Sequence, residues 1–201
     1  MSDLYYTIEK EGEGIFKEKM SKFISFARYV NDIEDAKSLI KNYQNEYHDA
    51  RHVCWAYVIG PDREVWQLND NGEPSGTAGK PILGQINSKE LTNVLVVVVR
   101  YFGGIKLGTP GLIAAYREAA RLALEDAGKK ETHKMETMSV TFPYMQANEV
   151  MKVVKGEEIN VIERSFDNSC SMILEFREDH AERIKGRLLS IDGLTSGEGT
   201  V

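Results

Sequence analysis

A histidine and a cysteine lie two residues apart in the segment Arg51-His52-Val53-Cys54. If this segment is a strand, His52 and Cys54 point to the same face, because side chains alternate between the faces of a strand. A histidine beside a thiol can generate a thiolate nucleophile. The sequence shows no third group that would orient the histidine. We therefore assign no catalytic residue and favour core packing for Cys54 and a hydrogen-bonding role for His52.

A second candidate site is the glycine-rich loop of residues 103–111, which leads into the start of a predicted helix. The unpaired N–H groups and the dipole of a helix N-terminus favour an anion, and Arg100, Lys106 and Arg117 add positive charge. The loop is not a P-loop, because Gly-Lys-Ser/Thr is absent and the lysine precedes the last loop glycine. It indicates either an anion site or a tight strand-to-helix turn in which the glycines serve packing.

The other glycine-rich loop, residues 70–79, carries oxygen-bearing side chains that could hold a cation or a hydroxyl-bearing ligand. The same residue types build ordinary turns, and the loop lacks the spacing of a calcium hand. Zinc would need more ligands than His52 and Cys54 supply. The sequence therefore predicts no metal and no cofactor. The oxygen-bearing residues of this loop are Asp70, Glu73, Ser75 and Thr77.

The two loops differ in charge from the rest of the chain. Residues 70–121 contain six Lys/Arg and four Asp/Glu, a balance of +2, whereas the whole chain carries −6 and the other residues therefore −8. A cationic segment on an acidic protein indicates a surface for an anion or a charged partner. Tyr101 and Phe102, beside these cations, either stack on bases or cover the end of a strand.

The pattern of the first half predicts an α+β arrangement that would position both loops. A helix should begin at a cap on Asn31 or Asp32 and end near Tyr47. A second helix, over residues 78–88, should be capped by Ser75 or Thr77. Strands are predicted over residues 4–8, 15–18, 21–30, 53–59 and 64–68, with a turn at residues 11–14.

Residues 94–99 are continuously apolar, which predicts a central strand buried on both faces. The next helix is predicted to have Thr109 as its N-cap and Pro110 at its first helical position. Gly128 should end this helix.

A polar segment over residues 129–135 is interpreted as a linker between domains spanning residues 1–128 and 136–201. Residues 136–190 show a β-α-β-β-α order, which predicts a small ferredoxin-like domain. Residues 193–201 are expected to be frayed.

Overall properties favour a cytoplasmic protein. The N-terminus shows no signal peptide, and two distant cysteines fit a reducing compartment. No segment reaches the roughly 20 apolar residues of a membrane helix, so no membrane contact is predicted. A pI of about 5.4 argues against bulk nucleic-acid binding but leaves room for a local basic face.

Four stretches of the sequence resemble the IMPACT/YigZ family, in the form of a bacterial two-domain member. The two longest, NGEPSGTAGKP and VVVRYFGGIKLG, are specific to it. The resemblance is strong over about residues 5–125, and the rest resembles the C-terminal module of bacterial members in pattern only. The four stretches are residues 21–24, 51–57, 71–81 and 97–108.

The resemblance implies a ribosomal-protein-S5 domain-2-like N-terminal domain, a fold with a left-handed crossover that also occurs in domain IV of elongation factor G. It implies a ferredoxin-like C-terminal domain similar to domain V of that factor. Eukaryotic relatives regulate translation by competing for the activator of a stress kinase, using an additional N-terminal domain that we do not expect here. The chain departs from the family pattern at Pro110, where a glycine is usual, and at Ala114, where arginine is common.

Our leading hypothesis is a translation-related regulator without enzymatic activity, whose partner is RNA or the ribosome. Two alternatives remain: a protein or enzyme that binds a small phosphorylated ligand at both loops, and a module that binds a protein of the translation machinery. The predicted binding residues are Lys22, Arg51, His52, Glu73, Ser75, Gly76, Thr77, Gly79, Lys80, Arg100, Tyr101, Gly103, Gly104, Lys106, Gly108 and Arg117.

Overall fold

The computed structural model describes residues 3–166 and 170–198. The chain forms two compact units of mixed α and β structure. Residues 5–132 make the first, called here the N-terminal unit. Residues 3–4 and the described residues from 133 onward make the second, the C-terminal unit. The two-domain α+β fold expected from the sequence is confirmed.

The first seven strands and three helices are numbered in chain order. The elements are β1 (Leu4–Thr7), β2 (Gly12–Glu18), β3 (Ser21–Tyr29), α1 (Ile33–Glu46), β4 (His52–Ile59), β5 (Val65–Asn69), α2 (Gly79–Ser88), β6 (Val94–Tyr101), α3 (Gly108–Ala127) and β7 (Lys130–His133). The five-stranded antiparallel sheet of the N-terminal unit has the order β2-β3-β6-β4-β5.

Strand β6 is the central strand of this sheet, and its apolar residues are buried on both faces as predicted. Val94, Val96 and Val98 pack in one core with side chains of α2 and α3. Leu95, Val97 and Val99 pack in a second core with side chains of α1. Apolar and polar residues do not alternate along β6, because helices cover both faces of the strand and both must be apolar. Helix α1 has the expected cap, since the Asp32 carboxylate accepts the Asp35 backbone N–H at 2.8 Å.

The turn predicted at residues 11–14 is wrong, because β2 begins at Gly12 and includes Gly14. These glycines face α3. A Cβ on Gly12 would lie 2.2 Å from the Ala123 carbonyl oxygen, and a Cβ on Gly14 would lie 2.7 Å from Leu122 Cβ. Glycine is needed here because helix and strand backbones approach closely, and no reversal of the chain is involved.

Helix α3 begins two residues earlier than predicted. Its N-cap is Leu107 and its first residue is Gly108, so Thr109 is not the cap and Pro110 lies in the first turn. Gly108 has a φ of 70°, a conformation that glycine adopts without the steric cost of a Cβ. The chain therefore turns into the helix at this glycine. Gly128 ends α3 with a φ of 72°, as expected.

The polar segment at residues 129–135 is not wholly an irregular linker, because β7 lies within it and pairs with β1 in a two-stranded sheet. The side chains of β7 are exposed or half-buried. Its sequence therefore lacks the buried apolar positions from which a strand can be predicted. No helix in the described part of the chain is long and apolar enough to cross a membrane.

The elements of the C-terminal unit are β8 (Met135–Phe142), α4 (Ala147–Gly156), β9 (Asn160–Phe166), β10 (Cys170–Arg177), α5 (Ala181–Leu189) and β11 (Thr195–Glu198). Its four-stranded antiparallel sheet has the order β11-β8-β10-β9. Apolar side chains of β8, β10, α4 and α5 form its core. Residues 195–198, expected to be frayed, form β11, since they find a backbone partner in β8. Residues 199–201 lie outside the described residues.

Candidate functional site

A cavity of about 450 Å³ in the N-terminal unit lies where the two glycine-rich loops meet the start of α3. Its lining divides into a buried floor and an exposed rim. The floor is His52, Glu73, Arg100, Leu107 and Leu112. The rim is Arg51, Gly72, Pro74, Phe102, Lys106, Gly108 and Thr109.

An ion pair between Glu73 and Arg100 forms the centre of the floor. Arg100 Nη1 donates to Glu73 Oε1 at 2.6 Å, and the two side chains are 7% and 4% exposed. The Tyr116 hydroxyl donates to the same carboxylate oxygen at 2.8 Å. Burial raises the pKa of Tyr116 far above its usual range, so this hydroxyl keeps its proton. Buried charges are tolerated when they are paired in this way.

The Arg100 guanidinium is also close to two aromatic rings. Its central carbon is 5.5 Å from the ring centroids of Phe23 and Phe102, a distance at which cation–π attraction operates. Within the described parts of the chain, Arg100 Nε has no hydrogen-bond partner although it is buried. Arg100 lines the cavity, but its Nε has almost no accessible surface and is therefore not a donor that the cavity offers to a ligand.

His52 is held in one orientation by the first glycine-rich loop. Its Nδ1 lies 2.8 Å from the Asn71 carbonyl oxygen. A carbonyl only accepts hydrogen bonds, so Nδ1 carries the hydrogen and Nε2 of the neutral ring is an acceptor. Nε2 lies 3.9 Å from Glu73 Oε1. The hydrogen-bonding role expected for His52 is confirmed.

Cys54 is fully buried in the core and does not line the cavity. Its Sγ donates to the Asp70 carbonyl oxygen at 3.0 Å and lies 3.4 Å from the Tyr116 hydroxyl oxygen. Burial raises the pKa of the Cys54 thiol to about 12. The thiolate needed for nucleophilic attack is therefore scarce at neutral pH, and core packing is the correct interpretation.

We expect Cys54 to resist alkylation by iodoacetamide at pH 8 in the folded protein, because the thiol is both buried and protonated. In denaturant the same thiol should react fully. Peptide mass mapping would separate Cys54 from Cys170, which is also buried. Rapid modification of Cys54 with unchanged circular dichroism would contradict this account of the thiol.

The first glycine-rich loop is organised by Asp70. Its carboxylate accepts backbone N–H groups of Gly76 at 2.8 Å, Ala78 at 3.0 Å and Gly79 at 2.8 Å. The caps predicted for α2 are therefore wrong: Ala78 is the N-cap residue, and no side chain at that position bonds the helix. Asp70 satisfies the free N–H groups from across the loop. The described residues contain no group of three His, Cys, Asp or Glu arranged as metal ligands.

The N-terminus of α3 is the other structural component of the cavity. This helix of 20 residues has no side-chain cap and no acidic residue in its first turn. Gly108 and Thr109, its first two residues, line the cavity beside Lys106. Free N–H groups and the positive end of a helix dipole attract anions. This end of the cavity therefore presents positive potential without a carboxylate in the first turn of the helix to oppose it.

The cavity brings together some of the predicted binding residues and not others. Those that line it are Arg51, His52, Glu73, Arg100, Lys106 and Gly108. Those that do not are Lys22, Ser75, Gly76, Thr77, Gly79, Lys80, Tyr101, Gly103, Gly104 and Arg117.

Several residues in the second group have structural explanations. The Thr77 hydroxyl donates to the Pro74 carbonyl at 2.7 Å, and the Tyr101 hydroxyl donates to the Asp49 carboxylate at 2.9 Å. A Cβ on Gly103 would lie 2.1 Å from the Met20 carbonyl carbon, so this glycine permits close backbone packing. Arg100 was expected on an open basic face, and its burial corrects that expectation.

The predicted binding residues omit Tyr116 and six residues that line the cavity, namely Gly72, Pro74, Phe102, Leu107, Thr109 and Leu112. Thr109 was read only as a cap, although it lies on the rim. Tyr116 lies among the apolar side chains that α3 buries, and its hydroxyl completes the Glu73 cluster. A tyrosine in a buried stripe needs a polar partner, and this was the available signal.

Comparisons with known proteins support one family. Residues 19–124 match the family model described as the Impact N-terminal domain. The chain is 33% identical to an IMPACT family member of Haemophilus influenzae, over 87% of this chain and 86% of that protein. It is 44% identical to IMPACT family member YigZ of Escherichia coli, over 53% of each chain. A crystal structure described as that of a hypothetical protein superimposes with a TM-score of 0.76 at 26% identity, covering 100% of this chain and 99% of that one.

Proposed function

This chain belongs to the IMPACT family, and from that premise we propose that it is a cytoplasmic, non-enzymatic regulator connected with translation that contacts RNA through the cavity of its N-terminal unit. The connection with translation follows from the family, whose eukaryotic members regulate it. One observation supports the RNA contact: the uncapped N-terminus of α3 and the exposed cations Arg51 and Lys106 line the same cavity.

The charges of the cavity support an anionic ligand. Arg51, Arg100 and Lys106 contribute three positive charges and Glu73 one negative charge, so the formal balance is +2 with His52 neutral. Only Arg51 and Lys106 of the three cations are on the rim. Lysine, arginine and helix N-termini are the groups that proteins use to contact the phosphates of nucleic acids. The state of Cys54, a buried thiol, supports a binding role over nucleophilic catalysis.

We expect Lys106→Glu to weaken RNA binding and to reduce the salt slope of log affinity by about 1, because one phosphate contact is lost. Filter binding at about 50 and 200 mM salt, a range over which phosphate contacts lose much of their affinity, would measure both. Structured ribosomal RNA and a single-stranded oligomer are the two probes. Lys41→Glu is the matched control, since Lys41 is exposed on α1 and makes the same charge change outside the cavity. Equal affinities for both variants would contradict the cavity as the RNA site.

One observation favours a second candidate function, the binding of a small phosphorylated ligand. Five buried residues line the floor of the cavity, and its volume of about 450 Å³ lies within the range of ligand pockets, about 300–1,000 Å³. A thermal-shift screen over nucleotides and sugar phosphates tests it. No stabilisation at millimolar concentrations would count against this function.

A further inference from the structure

We propose that the turn between β2 and β3, together with the loop that follows β6, is a docking surface for an acidic protein segment that carries an apolar side chain. This surface is called here the hairpin patch. The inference is separate from the proposed RNA contact, because it does not use the start of α3. The apolar members of the patch are Met20, Phe102 and Ile105, and its basic members are Lys17, Lys19, Lys22 and Lys106.

The two segments that carry the patch are packed against each other. A Cβ on Gly103 would lie 2.1 Å from the Met20 carbonyl carbon, and the Gly103 N–H donates to the Ser21 hydroxyl at 3.3 Å. Met20 is 79% exposed, Phe102 44% and Ile105 49%. Single exposed apolar residues are ordinary, whereas several of them together among polar residues mark an interaction site. Three on touching segments therefore indicate a partner.

The turn of the hairpin is made by residues that do not suit its backbone. Glu18 and Ser21 are partners in the β2–β3 ladder, so Lys19 and Met20 alone form the turn. Their φ angles are 44° and 65°. Two-residue turns with positive φ at both positions favour Asn-Gly, because other side chains are strained there. Where a residue conflicts with its local backbone, its side chain is expected to serve a function.

The lysines of the patch lack partners of opposite charge. Lys17 and Lys22 are directly opposite each other in the β2–β3 ladder, and like charges in this position destabilise a sheet. Within the ranges that the structure describes, none of the four lysines forms an ion pair. Residues 17–22 and 102–106 contain four lysines and one glutamate, a balance of +3 in a chain of −6. Carboxylates of a partner would relieve this repulsion.

The apolar members of the patch favour a protein over RNA as the source of the negative charge. Met20 and Ile105 have no aromatic ring on which a base could stack. Methionine adapts its shape to an apolar partner, and both methionine and phenylalanine are enriched in protein interfaces. An apolar centre with a charged rim is also the usual arrangement of such interfaces. We therefore expect an apolar side chain of the partner to contact Met20 while its acidic residues meet the lysines.

Selection from a random peptide library with the full chain as target, at low salt, tests the chemistry of the partner. We expect the selected peptides to be enriched in Asp and Glu and to contain leucine or an aromatic residue. Fluorescence anisotropy of the labelled consensus peptide then tests the location. Lys19→Asn combined with Met20→Gly should weaken its binding by at least about tenfold. Met145→Ala is the control, since Met145 is 90% exposed in the C-terminal unit and should leave the affinity unchanged.

The same double variant separates a lost contact from a damaged fold. Its two replacements suit the turn, so we expect the melting temperature to rise by about 2–4 °C while peptide binding falls. Selected peptides without acidic enrichment, no selected peptide, or equal peptide affinity for the variant and the unmodified chain would each overturn the inference. A weaker affinity for a single-stranded RNA oligomer, with unchanged peptide affinity, would overturn it by assigning the hairpin to the RNA contact.

Discussion

Replacing Glu73 with alanine is expected to lower the free energy of unfolding by about 3–5 kcal/mol, the usual cost of leaving a buried charge without its partner. The variant would remove the carboxylate that accepts from Arg100 Nη1 at 2.6 Å and from the Tyr116 hydroxyl at 2.8 Å. Water cannot replace it fully, because the Arg100 side chain is only 7% exposed. Urea denaturation followed by circular dichroism would measure the loss.

A double variant is the control for this prediction. Glu73→Gln combined with Arg100→Met removes both charges and keeps similar side-chain volumes, so it should cost much less than Glu73→Ala alone. This difference would identify the uncompensated guanidinium as the source of the instability. A loss below about 1 kcal/mol in Glu73→Ala, the size typical of an exposed ion pair, would contradict the central role given to this pair.

Replacing Gly12 with alanine is expected to destabilise the N-terminal unit by about 1–3 kcal/mol, the usual cost of inserting a methyl group into a packed interior. The new Cβ would lie 2.2 Å from the Ala123 carbonyl oxygen and 2.5 Å from the Ala127 backbone nitrogen. Both atoms belong to the backbone of α3, so no side-chain rotation can relieve the clash. Strand β2 or helix α3 would have to move.

Gly84 provides the matched control for the same substitution. It lies inside α2, and apart from its chain neighbours and the nearby backbone of that helix, no atom of the described residues would lie within 4 Å of a Cβ there. Alanine should therefore raise the free energy of unfolding by up to about 1 kcal/mol through its higher helix propensity. Thermal unfolding of the two variants should give shifts of opposite sign. A Gly12→Ala protein as stable as the Gly84→Ala protein would show that the contact of β2 with α3 is loose.

The success of the sequence predictions depended on how far apart in the sequence the interacting residues lie. The buried strand over residues 94–99 and the Asp32 cap of α1 were predicted correctly, because each depends on a local pattern. The caps at Ser75, Thr77 and Thr109 were wrong, because Asp70 reaches α2 from across a loop and α3 begins without a side-chain cap.

The same distinction applies to the candidate site. Glu73 and Arg100 were both predicted as binding residues, but their pairing joins positions 27 residues apart. Nothing in the local spacing shows that they neutralise each other in the interior. If the pairing with Glu73 is not known, Arg100 is interpreted as a surface cation. The predicted basic face then extends over too much of the chain. Burial, and not residue type, separates the floor of the cavity from its rim.

The buried polar pair also has a consequence for the alignment of the strands. Strand β6 is apolar on both faces, so sliding it by one residue would exchange one set of apolar side chains for another of similar size. Hydrophobicity alone therefore specifies its register weakly. The polar residues at its two ends do not allow such a shift, because each has a specific partner. The Asn93 side-chain oxygen accepts the Gly60 N–H at 2.9 Å, and Arg100 must meet Glu73. We infer that these two contacts fix the register of the central strand, so the residue pair that shapes the cavity also determines how the sheet around it is aligned.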